Sequence, residues 1–100
     1  MKVKLREFDP VNYLKTPEAI DAFLESALEV DDPDYIIKAI SVAIRAQGMV
    51  KTAKKTGLDR AGLYHSFSEK GGNPQLKTLF KVIDSLGFRI RFERKPSLTI

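Results

Sequence analysis

The chain has 100 residues, of which 43% are hydrophobic and 30% are charged, and it contains no Cys and a single His. This length suffices for one small domain and excludes a catalytic cleft between two lobes. Without Cys there is no disulfide or thiolate site, and one His argues against a transition-metal centre, so we expect no metal and no cofactor. No apolar run has the length of a membrane span, and the N-terminus lacks a signal peptide. We therefore expect a cytoplasmic protein with no membrane partner.

The net charge of +4 is divided unevenly along the chain. Residues 1–34 hold four basic and nine acidic residues, a net charge of −5, whereas residues 35–100 hold thirteen basic and four acidic residues, a net charge of +9. A basic body is typical of a protein that binds the phosphates of double-stranded DNA. DNA would repel the acidic N-terminal part, which would therefore face either a basic partner or only solvent.

The first third of the chain predicts a strand and then a helix. Residues 2–8 alternate basic and apolar side chains, as a half-buried strand does. A helix begins after Thr16, since Thr is a favourable N-cap and the next residue is Pro. A second helix is predicted from Asp32, which is also followed by Pro, to Gly48.

Residues 49–67 have the pattern of two short helices joined by a tight turn. Ala53 is small where the helices would cross, Gly57 tolerates positive φ in the turn, and Asp59 suits the N-cap of the second helix. Leu63 and Phe67, four residues apart, would face the core. This pattern predicts a helix-turn-helix; the alternative is a helical hairpin without a DNA-binding role.

The last third predicts one more helix and a second strand. The helix would begin at Asn73 and end at Gly87, with five apolar side chains facing inward: Leu76, Leu79, Phe80, Ile83 and Leu86. Residues 88–94 alternate again and would pair with residues 2–8, within one chain or across a dimer axis.

These elements predict a mainly α fold with five helices and short N- and C-terminal β-strands. We expect residues 1–100 to form a single domain. Residues 1–31 would be an extension with a strand and an acidic helix, residues 32–87 the helix-turn-helix core, and residues 88–95 the C-terminal strand.

The exposed face of the second helix of the pair is the predicted DNA-reading surface. Base contacts are assigned to Arg60, Ala61, Tyr64 and His65, because Arg can bond O6 and N7 of guanine and a recognition helix reads bases with its first turns. Phosphate contacts are assigned to Lys51, Lys54 and Lys55 on the preceding helix and to Asn73 and Lys77 at the start of the next. Each assignment has a structural alternative: a cap contact for Arg60 or Asn73, partial burial for Tyr64, and ordinary solubility for the lysines.

The sequence offers no recognisable catalytic group. His65 lies near Ser66 and Ser68, but a nucleophile also needs an orienting acid and an oxyanion site. The acids between Glu25 and Asp34 lack the spacing and the central Gly of a calcium loop. We therefore do not expect an enzyme.

Residues 36–92 resemble the Xre-type, lambda-repressor-like antitoxins of the HigA-like addiction module antidote family. The most specific segments are GLDRAGLYHSFSEKGGNPQLKTLFKVIDSLG, residues 57–87, and the block between Tyr13 and Glu29; residues 8–40 are similar to that family's N-terminal extension. The resemblance implies a lambda-repressor-like domain and a homodimer that represses its own operon. It also implies an operator-reading helix from Asp59 to Ser68 and a RelE-like toxin as protein partner.

The acidic first third suggests where such a toxin would bind. RelE-like toxins tend to be basic, so the acids of the first helix, Glu18, Asp21, Glu25 and Glu29, could mimic a phosphate surface; the alternative is a solvated helix face. Ala61 and Gly62 are smaller than the polar residues that many Xre domains carry at these positions. This leaves open a second function, sequestration of a toxin without sequence-specific DNA binding.

Overall fold

The computed structural model describes residues 9–68 and 70–96, which form a short 3₁₀ turn and five α-helices. The turn spans Pro10–Tyr13, and the helices are α1 (Pro17–Leu28), α2 (Pro33–Gln47), α3 (Met49–Thr56), α4 (Arg60–Ser66) and α5 (Leu76–Ser85). The predicted mainly helical class and the five helices are confirmed. The predicted strand at residues 2–8 lies outside the described residues.

Three of these elements begin at a polar residue followed by Pro. Thr16 Oγ1 accepts a hydrogen bond from the Ala19 amide at 3.1 Å, and Asp32 Oδ1 accepts one from the Asp34 amide at 3.0 Å, so the predicted starts of α1 and α2 are confirmed. The third such start is Asp9, whose side chain caps the 3₁₀ turn. No helical turn was predicted here, although Asp9 and Pro10 form the same Asp-Pro signal as the start of α2.

One cluster of buried side chains joins α1, α2, α4 and α5. Its members are Leu24, Ile40, Ala43, Ile44, Leu63, Phe67, Val82, Ile83 and Leu86. Met49 and Ala53 of α3 pack against it, and α1 lies along α2. Because Leu24 is fully buried in the same core, the acidic helix α1 is part of the packed body of the molecule.

The predicted start of α5 is wrong. The helix begins at Leu76, with Gln75 as its N-cap, and Asn73 and Pro74 lie in the connecting loop. Proline fixes φ near a value that helices and extended segments share, so Pro74 fits the loop as well as it would fit a helix start.

The predicted inward face of α5 is partly wrong. Ile83 and Leu86 are buried and Leu79 is half-buried as expected, but Leu76 and Phe80 are 65% and 43% exposed. The core instead takes Val82, which is fully buried. Leu76 lies in the first turn, and the buried stripe runs along the side of the helix that carries Val82, away from Phe80.

The predicted strand at residues 88–94 is also wrong, since no β-structure is assigned to residues 88–96. Phe88 and Ile90 are half-buried against the core, whereas Arg89 and Arg91 are exposed. Half-buried and exposed side chains therefore alternate over these residues, as they would in a strand. A strand also needs a hydrogen-bonded neighbour, and the predicted one, residues 2–8, lies outside the described residues.

A bidentate ion pair holds the N-terminal 3₁₀ turn on α2. Arg45 Nη1 and Nη2 donate to Asp9 Oδ2 and Oδ1 at 3.1 and 3.2 Å. The hydrogen bond from Arg45 and then that from the Val11 amide lower the pKa of Asp9 below its ordinary value of 3.8. A lowered folded-state pKa means that this stabilising contribution is complete above the ordinary value and is lost as the pH falls through the folded-state pKa.

We expect Arg45→Met to raise the pKa of Asp9 toward 3.8, because the first cause of its lowering is removed. An NMR titration of the Asp9 side-chain carboxyl measures this directly. Lys38→Met, at an exposed position elsewhere on α2, is the matched control and leaves the pKa unchanged. An unchanged pKa in the Arg45 variant would show that the pair does not form in solution.

Candidate nucleic-acid interface

A three-residue turn positions α4 against α3. Gly57 ends α3 in the left-handed conformation at φ 75°, and its amide donates to the Ala53 carbonyl at 2.9 Å. The Leu58 amide donates to Thr56 Oγ1 at 3.2 Å. Asp59 then caps α4 by accepting a hydrogen bond from an amide in the first turn of that helix, so the predicted turn is confirmed.

Two buried side chains set the orientation of α4. Leu63 is 1% exposed and Phe67 is 2% exposed, which confirms that both face the core. The four predicted base-contact residues are all exposed: Arg60, Ala61, Tyr64 and His65. Ala61 and His65 lie opposite the buried pair, whereas Arg60 lies in the first turn on the same side as Leu63 and Phe67. The Tyr64 and His65 rings pack edge to face, with centroids 6.2 Å apart.

The helix is shorter than the predicted span from Asp59 to Ser68. It runs Arg60–Ser66, with Phe67 as its C-cap. Ser68 then turns the chain, because its hydroxyl accepts from the Lys70 amide at 3.1 Å and its carbonyl accepts from the Gly72 amide at 2.8 Å. The exposed surface of α4 therefore comprises about two turns.

The three lysines predicted to contact phosphate lie on different sides of α3. All are exposed, but Lys51 and Lys55 line a cleft that α3 forms with α1 and the end of α5, whereas Lys54 does not line it. Lys55 Nζ lies 3.4 Å from both Gln47 Oε1 and the Ser85 carbonyl oxygen, to which it donates. A cation there is favourable at the C-terminal end of α5. Lys54 is therefore the lysine of this set that faces away from the cleft.

The two residues predicted to contact phosphate near α5 are both exposed, but they do not occupy equivalent positions. Asn73 lies in the loop before the helix, and Lys77 is the second residue of α5. Asn73 is therefore not the helix cap that the alternative assignment required. The N-cap of α5 is Gln75, whose side chain forms no capping hydrogen bond.

The four predicted toxin-binding acids share one exposed face of α1, since their spacing of three or four residues places them along one side of a helix. They are Glu18, Asp21, Glu25 and the C-cap residue Glu29. Asp21 and Glu25 also form part of the wall of the cleft that Lys51 and Lys55 line, which has a volume of about 770 Å³. Lys15 and Asp84 line the same cleft, so the structure brings three acids and three lysines together there.

A second cleft, of about 910 Å³, runs beside α4. Tyr64 and His65 form one wall, and Arg45 and Lys70 also line it. Neither cation was among the predicted site residues. Their charge was the available signal, but their position beside α4 depends on the packing of α2 and on the loop after α4.

Residues 9–68 and 70–96 contain neither a metal-binding cluster nor a membrane-spanning helix. No group of three or more His, Cys, Asp or Glu side chains is arranged to hold a metal ion. No helix in the same part of the chain is long and apolar enough to cross a membrane.

The sequence of this chain is similar to those of known proteins. An uncharacterised protein of Haemophilus influenzae is 31% identical over 94 residues, which cover 94% of this chain and 96% of that protein. The L-cysteine:1D-myo-inositol 2-amino-2-deoxy-alpha-D-glucopyranoside ligase of Gordonia bronchialis is 28% identical over 102 residues. That alignment covers 93% of this chain but 24% of the ligase, too small a share to assign the ligase activity here. No solved structure matches the chain.

A family model described as "Probable addiction module antidote protein" matches residues 4–94. This match covers most of the chain and includes the acidic helix, the α3–α4 pair and α5. The chain therefore belongs to the family of probable addiction module antidote proteins.

Proposed function

We propose that this protein is the antitoxin of a type II toxin-antitoxin module and that, as a homodimer, it represses its own operon by binding operator DNA through α4. Family membership supports the antitoxin role. The observation that carries the DNA-binding role is the orientation of α4, in which Leu63 and Phe67 are buried while Arg60, Ala61, Tyr64 and His65 are exposed.

The dimensions and chemistry of α4 suit the major groove of DNA. Seven residues of helix are about 10 Å long, and the groove is about 12 Å wide and admits a helix. Arg60, in the first turn, has the guanidinium geometry that matches guanine O6 and N7. Tyr64 and His65 follow one turn later and can donate to a base or a phosphate.

The charge around α4 suits the phosphate backbone. Residues 35–100 carry a net charge of +9, and Lys54 on α3 and Lys70 beside α4 are both exposed. In a lambda-repressor-like arrangement α3 would cross the backbone while α4 enters the groove. A homodimer of this kind would read two half-sites about one helical turn apart.

The partner protein in this proposal is a RelE-like toxin that binds the acidic face of α1. Leu24 and Ala27 are buried on the other side of this helix, which leaves Glu18, Asp21 and Glu25 exposed. A row of carboxylates suits a basic protein surface, because complementary charge favours encounter and specificity.

A second candidate function is sequestration of the toxin without sequence-specific DNA binding. Ala61 and Gly62 in the first turn of α4 favour it, because neither side chain can form a hydrogen bond to a base edge. In that case α4 would serve the fold, and its charge would give only weak, salt-sensitive binding to any duplex.

Binding of the protein to a duplex from just upstream of its own gene, compared with a scrambled duplex, separates these functions. We expect Arg60→Ala to weaken binding to the upstream duplex roughly ten- to hundredfold, since a bidentate guanine contact contributes about 1–3 kcal/mol of discrimination. Fluorescence anisotropy at several salt concentrations gives the affinities, and Lys38→Ala is the matched control. Equal affinity of the wild-type protein for both duplexes would support sequestration alone.

Lys54→Ala and Lys55→Ala form a matched pair because they remove neighbouring charges that face different directions. We expect Lys54→Ala to weaken binding to every duplex alike and to reduce the slope of log K against log salt by about 1. Lys55→Ala leaves that slope unchanged, since its ammonium group is directed to the end of α5. Equal slopes for both variants and the wild type would exclude a phosphate contact at Lys54.

The toxin-binding role is tested by co-expression with the protein encoded beside this gene. We expect the combined variant Glu18→Gln, Asp21→Asn, Glu25→Gln and Glu29→Gln to lose protection of growth, because the carboxylates that attract a basic toxin are removed. The control, Asp31→Asn with Glu93→Gln, removes two exposed acids outside this face and keeps protection. Full protection by the combined variant would place the toxin elsewhere.

A further inference from the structure

The C-terminal segment exposes a row of basic side chains and an aromatic ring. We refer to residues 89–95 as the basic tail; it carries Arg89, Arg91, Arg94 and Lys95, all exposed. Phe92 in the same segment is 87% exposed, the highest value among the exposed large hydrophobic side chains of the described chain. The ring lies between Arg91 and Glu93, and with this one acid the basic tail has a net charge of +3.

The opposite charge is available on α1. Glu18, Asp21, Glu25 and Glu29 lie along one exposed face of this helix. Asp21 and Glu25 also line the cleft between α1, α3 and α5, whose α3 side carries Lys51 and Lys55. In the part of the chain that the structure describes, the salt bridge present is the one between Arg45 and Asp9. The tail arginines and the α1 carboxylates are therefore not paired with each other within one chain.

The spacing of the two charge rows is similar. Alternate residues of an extended segment are about 6.6 Å apart, and residues four apart on a helix are about 6 Å apart along its axis. Arg89 and Arg91 therefore match the spacing of Asp21 and Glu25. In an extended tail Phe92 lies on the side opposite Arg89 and Arg91, so its ring is not part of this charge match.

We propose that the basic tail of one copy of this chain docks along the acidic face of α1 in a second copy, and that the second copy does the same in return. Phe88 and Ile90 pack against the core of their own chain, which directs Arg89 and Arg91 away from that core. Two identical reciprocal contacts satisfy the closed symmetry that homodimers favour. This assigns a surface to the proposed homodimer and is independent of the DNA and toxin assignments.

The contact also overlaps the surface proposed for the toxin. A toxin that binds Asp21 and Glu25 would displace the tail of the partner copy, because both ligands need the same carboxylates. The test therefore uses the antitoxin alone, so that its result is independent of toxin binding.

Sedimentation equilibrium of the full chain at low and high salt measures the association. We expect a dimer that weakens as salt rises, since exposed charge pairs are screened. Arg89→Glu with Arg91→Glu, and separately Asp21→Lys with Glu25→Lys, each weaken the dimer by about tenfold or more, because like charges then face each other in both contacts. Lys38→Glu with Lys81→Glu, an equal change of charge at other exposed positions, is the control.

Mixing the two charge-reversed variants is the decisive step. Each acidic tail then meets a basic α1 face and each basic tail meets an acidic one, so the mixture forms a heterodimer although neither variant dimerises well alone. A circular dichroism spectrum of each variant confirms that it is folded. If the wild-type protein is a dimer and neither charge reversal weakens association, this inference is overturned and the proposed homodimer stands. If the wild-type protein is a monomer at all concentrations, both are overturned.

Discussion

The burial of Leu63 and Phe67 determines the surface that α4 presents to solvent. With both side chains in the core, the helix cannot rotate without exposing them, and full burial of one such side chain contributes about 1.5–3 kcal/mol. The turn at Gly57 and the cap at Asp59 fix where the helix begins. The exposure of Tyr64 and His65 is thus a consequence of core packing and of local backbone chemistry.

The same core controls the acidic surface. Leu24 and Ala27 of α1 are buried on α2, so the carboxylates at three- and four-residue spacing face solvent. A change in the core would therefore alter both the acidic face and the exposed face of α4. For this reason full deletion of α1 tests folding and toxin binding together, whereas exchange of its surface charges leaves the buried side chains in place.

The features that could be predicted from the sequence depend on neighbouring residues. The caps at Thr16 and Asp32 and the turn at Gly57 follow from local backbone preferences, and the structure has all three. The buried stripe of α5 and the absence of a strand at residues 88–94 depend on distant partners, which a local pattern does not specify. The direction in which the Lys55 ammonium group points also depends on a distant partner, because the carbonyl oxygen that it contacts belongs to Ser85, thirty residues later.

The charge asymmetry of the sequence is not the charge distribution of the folded surface. Asp9 belongs to the acidic third of the chain but lies in the cleft beside α4, where Arg45 pairs with it and offsets its charge. Lys51 and Lys55 belong to the basic part but lie in the cleft that α1 lines with carboxylates. The cleft beside α4 therefore contains Lys70 and His65 together with a carboxylate that is already paired. The α1 cleft has both acidic and basic side chains in its walls. A ligand in the α1 cleft would contact side chains of both charges. An anion beside α4 would instead contact Lys70, and Asp9 would repel it less because Arg45 pairs with Asp9.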